Sequence, residues 1–152
     1  MSLPMLQGNP CVANGCASCC YDTEMPLTEE DAQRLEALGH KRADFSFVKR
    51  EDRALYLLTV PRPEGMTDAG RSPKDVAAGK PGRPCFFLKD NQCSVYADRP
   101  IGCRIYPFVL TEDQRLVRDD DCPHHRQFPV DPSLKRRIQK IAGTLAREAA
   151  RR

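Results

Sequence analysis

The 152-residue chain is predicted to fold as one small, irregular α+β domain over residues 1–152. Short strands and hairpins are expected with two or three helices, among them a C-terminal amphipathic helix. Three observations predict it. Two stretches carry helical periodicity with capping residues, six short runs have strand composition, and thirteen prolines and nine glycines break the chain between them. Hydrophobic residues make up 40%, but aromatic ones only 7% and Trp is absent, so the apolar core is modest and crosslinks or bound metals are expected to support it.

The first element is a cysteine cluster, "CVANGCASCC" at residues 11–20, which ends in a vicinal pair. "LTEEDAQRLEALG" (27–39) follows as a short amphipathic helix, with Thr28 as N-cap, Asp31 closing a variant capping box and Gly39 as the stop. "FSFV" (45–48) and "ALYLLTV" (54–60) have strand composition and are expected to pair as a hairpin across "KREDR". Residues 61–84 contain five Pro and four Gly and are expected to form a long surface loop.

"CFFL" and "QCSVY" flank "KDN" as a tight hairpin with a cysteine on each arm. "ADRPIGC" turns the chain, and "RIYPFVL" pairs with "RLVRD" around "TEDQ". The tail, 131–150, is expected to be a helix capped by Asp131, with Pro132 in the first turn and a stripe of Leu134, Ile138, Ile141 and Leu145. Its basic residues fall mostly on the opposite, solvated face.

A net charge of +3, much of it from the C-terminal "KRR" (135–137) and the terminal "RR", makes nucleic acid an unlikely partner. The N-terminus has no signal-peptide pattern, and no stretch approaches the roughly 18 apolar residues of a membrane span. The expected compartment is the cytoplasm, where cysteines stay reduced and serve metals or catalysis more often than disulfides.

The eight cysteines fall into Cys11, Cys16, Cys19 and Cys20, then Cys85, Cys93, Cys103 and Cys122. Thiolates are soft ligands suited to zinc, copper(I) and iron–sulfur clusters. Eight of them match two four-cysteine sites, or one site with spare thiols. In extended backbone Cys19 and Cys20 point to opposite sides, so either each serves a separate metal or both meet one large cluster. The second set must then close what the first begins, so metal sites are expected to join the two across the 61–84 loop. Four thiolates on a divalent ion leave a net charge of about −2, for which Arg99 and Arg104, flanking Cys103, are candidate counter-charges. His124 and His125 are expected at the surface, Asp119, Asp120 and Asp121 in a solvated turn, and Tyr96 and Tyr106 packed around the sulfurs. Oxidation that ejects a metal is compatible with this set.

"CVANGCASCC" together with "CFFLKDNQCSVYADRPIGCRIYPF" and a final "CP" resembles the YkgJ-like cysteine-cluster family, a zinc- or iron-chelating domain, over residues 11–123. The discriminating core is the vicinal pair with C-x7-C-x-x-Y-x-x-R-P-x-x-C-R-x-Y-P-F. The resemblance implies metal chelation by Cys11, Cys16, Cys19, Cys20, Cys85, Cys93, Cys103 and Cys122, with zinc as the expected metal and iron or an iron–sulfur cluster as the alternative. Flagellin lysine methylases look like relatives through the same core, which raises a redox or methyl-transfer role, but no glycine-rich nucleotide motif for S-adenosylmethionine is visible and no catalytic residue stands out. A third possibility is a metal-scaffolded binding module whose basic C-terminal helix meets an acidic protein partner.

Overall fold

A computed structural model of the chain describes residues 11, 14–21, 25–50, 54–58 and 84–151. The Pro/Gly-rich loop expected at 61–84 lies outside the described residues except for Pro84. In order come β1 (Met25–Leu27), α1 (Glu29–Ala37), α2 (Arg42–Phe45), β2 (Ser46–Arg50), β3 (Ala54–Leu58), β4 (Leu88–Lys89) and β5 (Gln92–Cys93). They are followed by α3 (Ile101–Ile105), β6 (Phe108–Leu110), β7 (Leu116–Arg118) and α4 (Leu134–Ala150), with 3₁₀ turns at Ser18–Cys20, Tyr96–Asp98 and His125–Gln127. The α+β class is as expected. The described residues hold four α-helices instead of two or three, because α2 and α3 are short helices invisible to periodicity.

α1 starts as its sequence dictates. Thr28 Oγ1 accepts the Asp31 N–H at 3.1 Å, and Asp31 Oδ2 accepts the Thr28 N–H at 3.3 Å, completing the box. Gly39 ends it at φ +98°, its N–H bonded to the Glu36 carbonyl. Leu27, expected in this helix, belongs instead to β1, a strand absent from the sequence expectation. β1 lies at the edge of an antiparallel sheet in the order β1-β3-β2, where Pro26 is tolerated. β2 and β3 form the expected hairpin, but Phe45 is the end of α2. Arg42 secures α2 to α1 through Glu29 (2.7 Å) and Glu36.

The hairpin at Leu88–Cys93 turns on Asp90 and Asn91, both at positive φ (49° and 60°), as a two-residue type I′ loop requires. "ADRPIGC" is a 3₁₀ turn leading into α3, so Cys103 rides on a helix and not on a turn. β6 consequently begins only at Phe108, and pairs with β7 as expected. α4 starts at Leu134; Asp131 is not its N-cap. Its carboxylate instead accepts the Ser133 N–H at 2.8 Å and stands 3.9 Å from Arg137 of α4, while Ser133 holds the cap position.

Two apolar clusters position the rest. Leu27, Leu35, Phe45, Phe87 and Val95 surround the buried Cys85, with the Phe87 ring 5.0 Å from His40 and 5.5 Å from Phe45. Ile105, Phe108 and Leu134 form the second, against which Ile138 and Ile141 of the expected stripe pack. At its far end Glu148 accepts the Glu29 N–H with both oxygens (3.0 and 3.2 Å), satisfying an open donor at the α1 N-terminus. Lys135, Arg136, Lys140 and Arg147 are exposed, as the amphipathic pattern requires. No helix among the described residues is long and apolar enough to cross a membrane.

α3 lies against β1 so closely that a Cβ on Gly102 would stand 2.3 Å from Met25 Sδ. Gly102→Ala is expected to displace the Met25 side chain and cost about 1–3 kcal/mol, read as a lower urea midpoint at unchanged slope.

Candidate metal centre

The cysteines are brought together by backbone that runs from both ends of the 61–84 loop. The Cys16 N–H bonds the Cys11 carbonyl at 2.8 Å, and the Cys20 N–H closes the 3₁₀ turn on the Ala17 carbonyl at 2.9 Å. Tyr21 then forms an antiparallel bridge with Pro84, and the Cys85 N–H reaches the Cys20 carbonyl at 2.6 Å. Asn91 Nδ2 donates to the Gly15 carbonyl at 2.8 Å, so the type I′ turn is also tied to the first cysteine segment. Cys93 comes from β5, Cys103 from α3, and Cys122 from the turn after β7, where its N–H bonds the Asp119 carbonyl.

The result is a cavity of about 220 Å³. Cys11, Cys16, Cys19, Cys20, Cys85, Cys93 and Cys103 all line it, together with Met25, Phe87, Val95, Tyr96, Arg99 and Tyr106. Cys122 lies outside that wall, buried beside it. The sulfurs are spread around the space: among the described residues, no three of them lie mutually within 4.8 Å. None of the eight cysteines is joined to another by a disulfide.

A family model matches residues 10–123: the CxxCxxCC family, described as a "Putative zinc- or iron-chelating domain". The chain belongs to this family. No curated protein and no solved structure matches it significantly. The resemblance drawn from the cysteine motifs is therefore shown, and with it a metal-chelating domain class. This CxxCxxCC chain spaces its first two cysteines by four residues, Cys11 to Cys16, and keeps the Cys16-x-x-Cys19-Cys20 ending.

The vicinal pair departs from expectation. It sits in a 3₁₀ turn, not in extended backbone, so Cys19 and Cys20 diverge by about 120° instead of 180°. Their sulfurs stay within a hydrogen bond of each other, which pushes the Cys19 thiol up. Burial also pushes up the Cys85, Cys93, Cys103 and Cys122 thiols, and raises Cys11 to about 11 with help from Cys19, Cys16 and Cys122. Backbone N–H groups oppose this by donating to sulfur: Phe87 and Leu88 to Cys85, Val95 to Cys93 and His124 to Cys122. Such donors stabilise a thiolate, as ligand sulfurs require.

Of the two candidate counter-charges, the structure separates one from the other. Arg99 lines the cavity, stacks on the Tyr96 ring at 3.9 Å, and favours the charged forms of Cys11, Cys19, Cys93 and Cys103. Arg104 is exposed and binds the Arg99 and Ala97 carbonyls at 3.1 and 2.8 Å, bracing the turn from outside. Tyr96 and Tyr106 are half-buried on the cavity wall, and burial with the neighbouring Asp119 carboxylate holds the Tyr106 phenol protonated well above its usual range. Asp120 and Asp121 are exposed, as expected of the acidic turn. His124 and His125, expected at the surface, are half-buried because Cys122 anchors the 3₁₀ turn that carries them; His125 Nδ1 is buried with no hydrogen-bond partner among the described residues.

Sequence reasoning overlooked Asp31 and Arg34 as part of this site. Arg34 donates to the Arg99 carbonyl at 3.0 Å and to Asp31 at 2.7 Å, while Asp31 Oδ1 accepts the Ile101 N–H at 3.2 Å. Together they fix the Arg99–Cys103 segment to α1. The signal was present only as a capping-box acid and an ordinary i,i+3 charge pair.

The residues present suit a thiophilic metal. Soft sulfurs, N–H donors aimed at them, one cation at the wall and an otherwise apolar lining are what a thiolate centre needs.

Proposed function

We propose that this chain is a metal-binding protein that coordinates zinc or iron through Cys11, Cys16, Cys19, Cys20, Cys85, Cys93, Cys103 and Cys122, joining the N-terminal and central cysteine sets. The observation that carries this is the single cavity lined by seven thiols from segments on either side of the 61–84 loop. A bound ion would supply a crosslink between them. The chain's own part is to release thiol protons, donate N–H groups to the resulting sulfurs and set Arg99 against their charge. A reducing compartment such as the cytoplasm keeps the thiols available. Anaerobic purification followed by metal analysis tests it: bound zinc or iron is expected, and metal-free protein with all eight thiols reduced sinks the reading.

A second reading, an iron–sulfur cluster with a redox or methyl-transfer-related role, is favoured by one observation. Among the described residues every trio of these sulfurs includes a pair more than 4.8 Å apart, which suits a cluster whose ligands stand wider than the roughly 3.8 Å that zinc–sulfur bonds of about 2.3 Å impose. Visible absorption of the anaerobic protein separates the two.

Affinity for zinc is expected to rise with pH. The raised thiols are protonated near neutrality, so each one that becomes a ligand releases a proton, giving about a tenfold gain per pH unit for every proton released. The metal-free fold responds with the opposite sign. Its thiols titrate above the unfolded value, so stability is full below that value, near 9, and falls as pH climbs through the raised ones, such as Cys11 at about 11. Competition with a chromophoric chelator and denaturation of the metal-free form measure the two trends.

A further inference from the structure

The eight thiols do not share one environment. Cys85 is buried in the first apolar cluster, and Cys20, Cys93 and Cys103 pack against that same cluster. The other four do not take part in it. Backbone ties follow the same division. Cys20 and Cys85 are joined by the 2.6 Å hydrogen bond, and Cys85 is tied to the hairpin that carries Cys93, since Leu88, which pairs with Cys93, donates its N–H to the Cys85 carbonyl. Cys11 and Cys16 are joined by their own 2.8 Å bond, Cys19 is exposed, and Cys122 stands outside the cavity wall. The 3₁₀ turn at Ser18–Cys20 starts the two vicinal side chains about 120° apart from adjacent positions, with their sulfurs still within a hydrogen bond of each other.

We propose that the thiols divide four and four: a core site of Cys20, Cys85, Cys93 and Cys103, and a rim site of Cys11, Cys16, Cys19 and Cys122, with the vicinal pair split between them. Each site takes one thiophilic divalent cation of the zinc class, for which four thiolates complete a tetrahedron. The division rests on the metal-binding reading above and deepens it. Because no sulfur trio is closed beforehand, each set draws inward as its ion binds. The rim ion, next to the exposed Cys19, is the one a chelator removes first.

The full reduced chain, loaded anaerobically with cadmium-113, tests the division without any substitution. Two ions per chain by native mass spectrometry and two cadmium resonances of equal intensity, without cadmium–cadmium coupling, are expected. Cys19→Ser and Cys122→Ser should each abolish the same resonance, and Cys20→Ser and Cys93→Ser the other, halving the stoichiometry in each case. A single ion, coupled resonances from a thiolate-bridged cluster, or matching effects of Cys19→Ser and Cys20→Ser would overturn the division while leaving metal binding intact. A reduced wild-type chain that takes up neither zinc, cadmium nor iron overturns both.

Discussion

Chelating the metal from the reduced protein is expected to lower the midpoint of its unfolding transition sharply. The first apolar cluster is built from a handful of large side chains around Cys85, and the cavity with its ring of thiols adjoins it. Without an ion, the two segments are held by the Tyr21–Pro84 bridge and a few hydrogen bonds, among them Cys85 to Cys20 and Asn91 to Gly15. Each such bond contributes about 1 kcal/mol, which is small against the entropy of closing the long loop between them. A structural thiolate-bound zinc contributes on the order of 10 kcal/mol in small domains, comparable with the whole stability of an ordinary one. Far-UV circular dichroism and amide exchange before and after chelation, with reductant present, measure this. A metal-free protein that keeps its unfolding midpoint would show that the apolar clusters suffice and that the ion is cargo and not a structural part.

The elements legible in the sequence are those whose causes are local. Thr28, Asp31 and Gly39 announce α1 because caps act within four residues, and Asp90-Asn91 announces its hairpin because both residues tolerate positive φ. α3 was not legible, since its first free N–H, on Ile101, is satisfied by Asp31 from 70 positions away. β1 was hidden for a similar reason: three residues containing Pro26 form a strand only because β3 offers them an edge. In the site, the soft-ligand set and Arg99 could be picked out from residue type and spacing. The orientation of Cys19 and Cys20 could not, because it depends on the backbone between them, and extended and 3₁₀ backbone set different angles, about 180° and about 120°.

Asp31→Ala is expected to cost about 3–5 kcal/mol and to weaken metal binding as well. The carboxylate is only 1% exposed, and both of its oxygens are used: Oδ1 by Arg34 (2.7 Å) and the Ile101 N–H (3.2 Å), Oδ2 by the Thr28 N–H (3.3 Å). Removing it leaves two backbone donors unsatisfied and a guanidinium without its counter-charge. Arg34, 26% exposed, recovers some hydration, which favours the lower end of that range. The same loss loosens the Arg34 bonds to the Asp98 and Arg99 carbonyls, and with them the start of the helix that carries Cys103. Asp31→Asn retains the shape but gives up the charge pair, so an intermediate cost of about 1–3 kcal/mol is expected. Thr28→Ala is the informative comparison, because it removes the cap but leaves the tie to Ile101 in place; it should cost only about 1 kcal/mol and leave metal affinity unchanged. Urea denaturation at saturating zinc, together with chelator competition, reads both quantities. Equal and small effects of Asp31→Ala and Thr28→Ala, with affinity unmoved, would reduce Asp31 to a helix cap. A larger loss at Asp31, carried into affinity, makes it the residue through which α1 positions the metal centre.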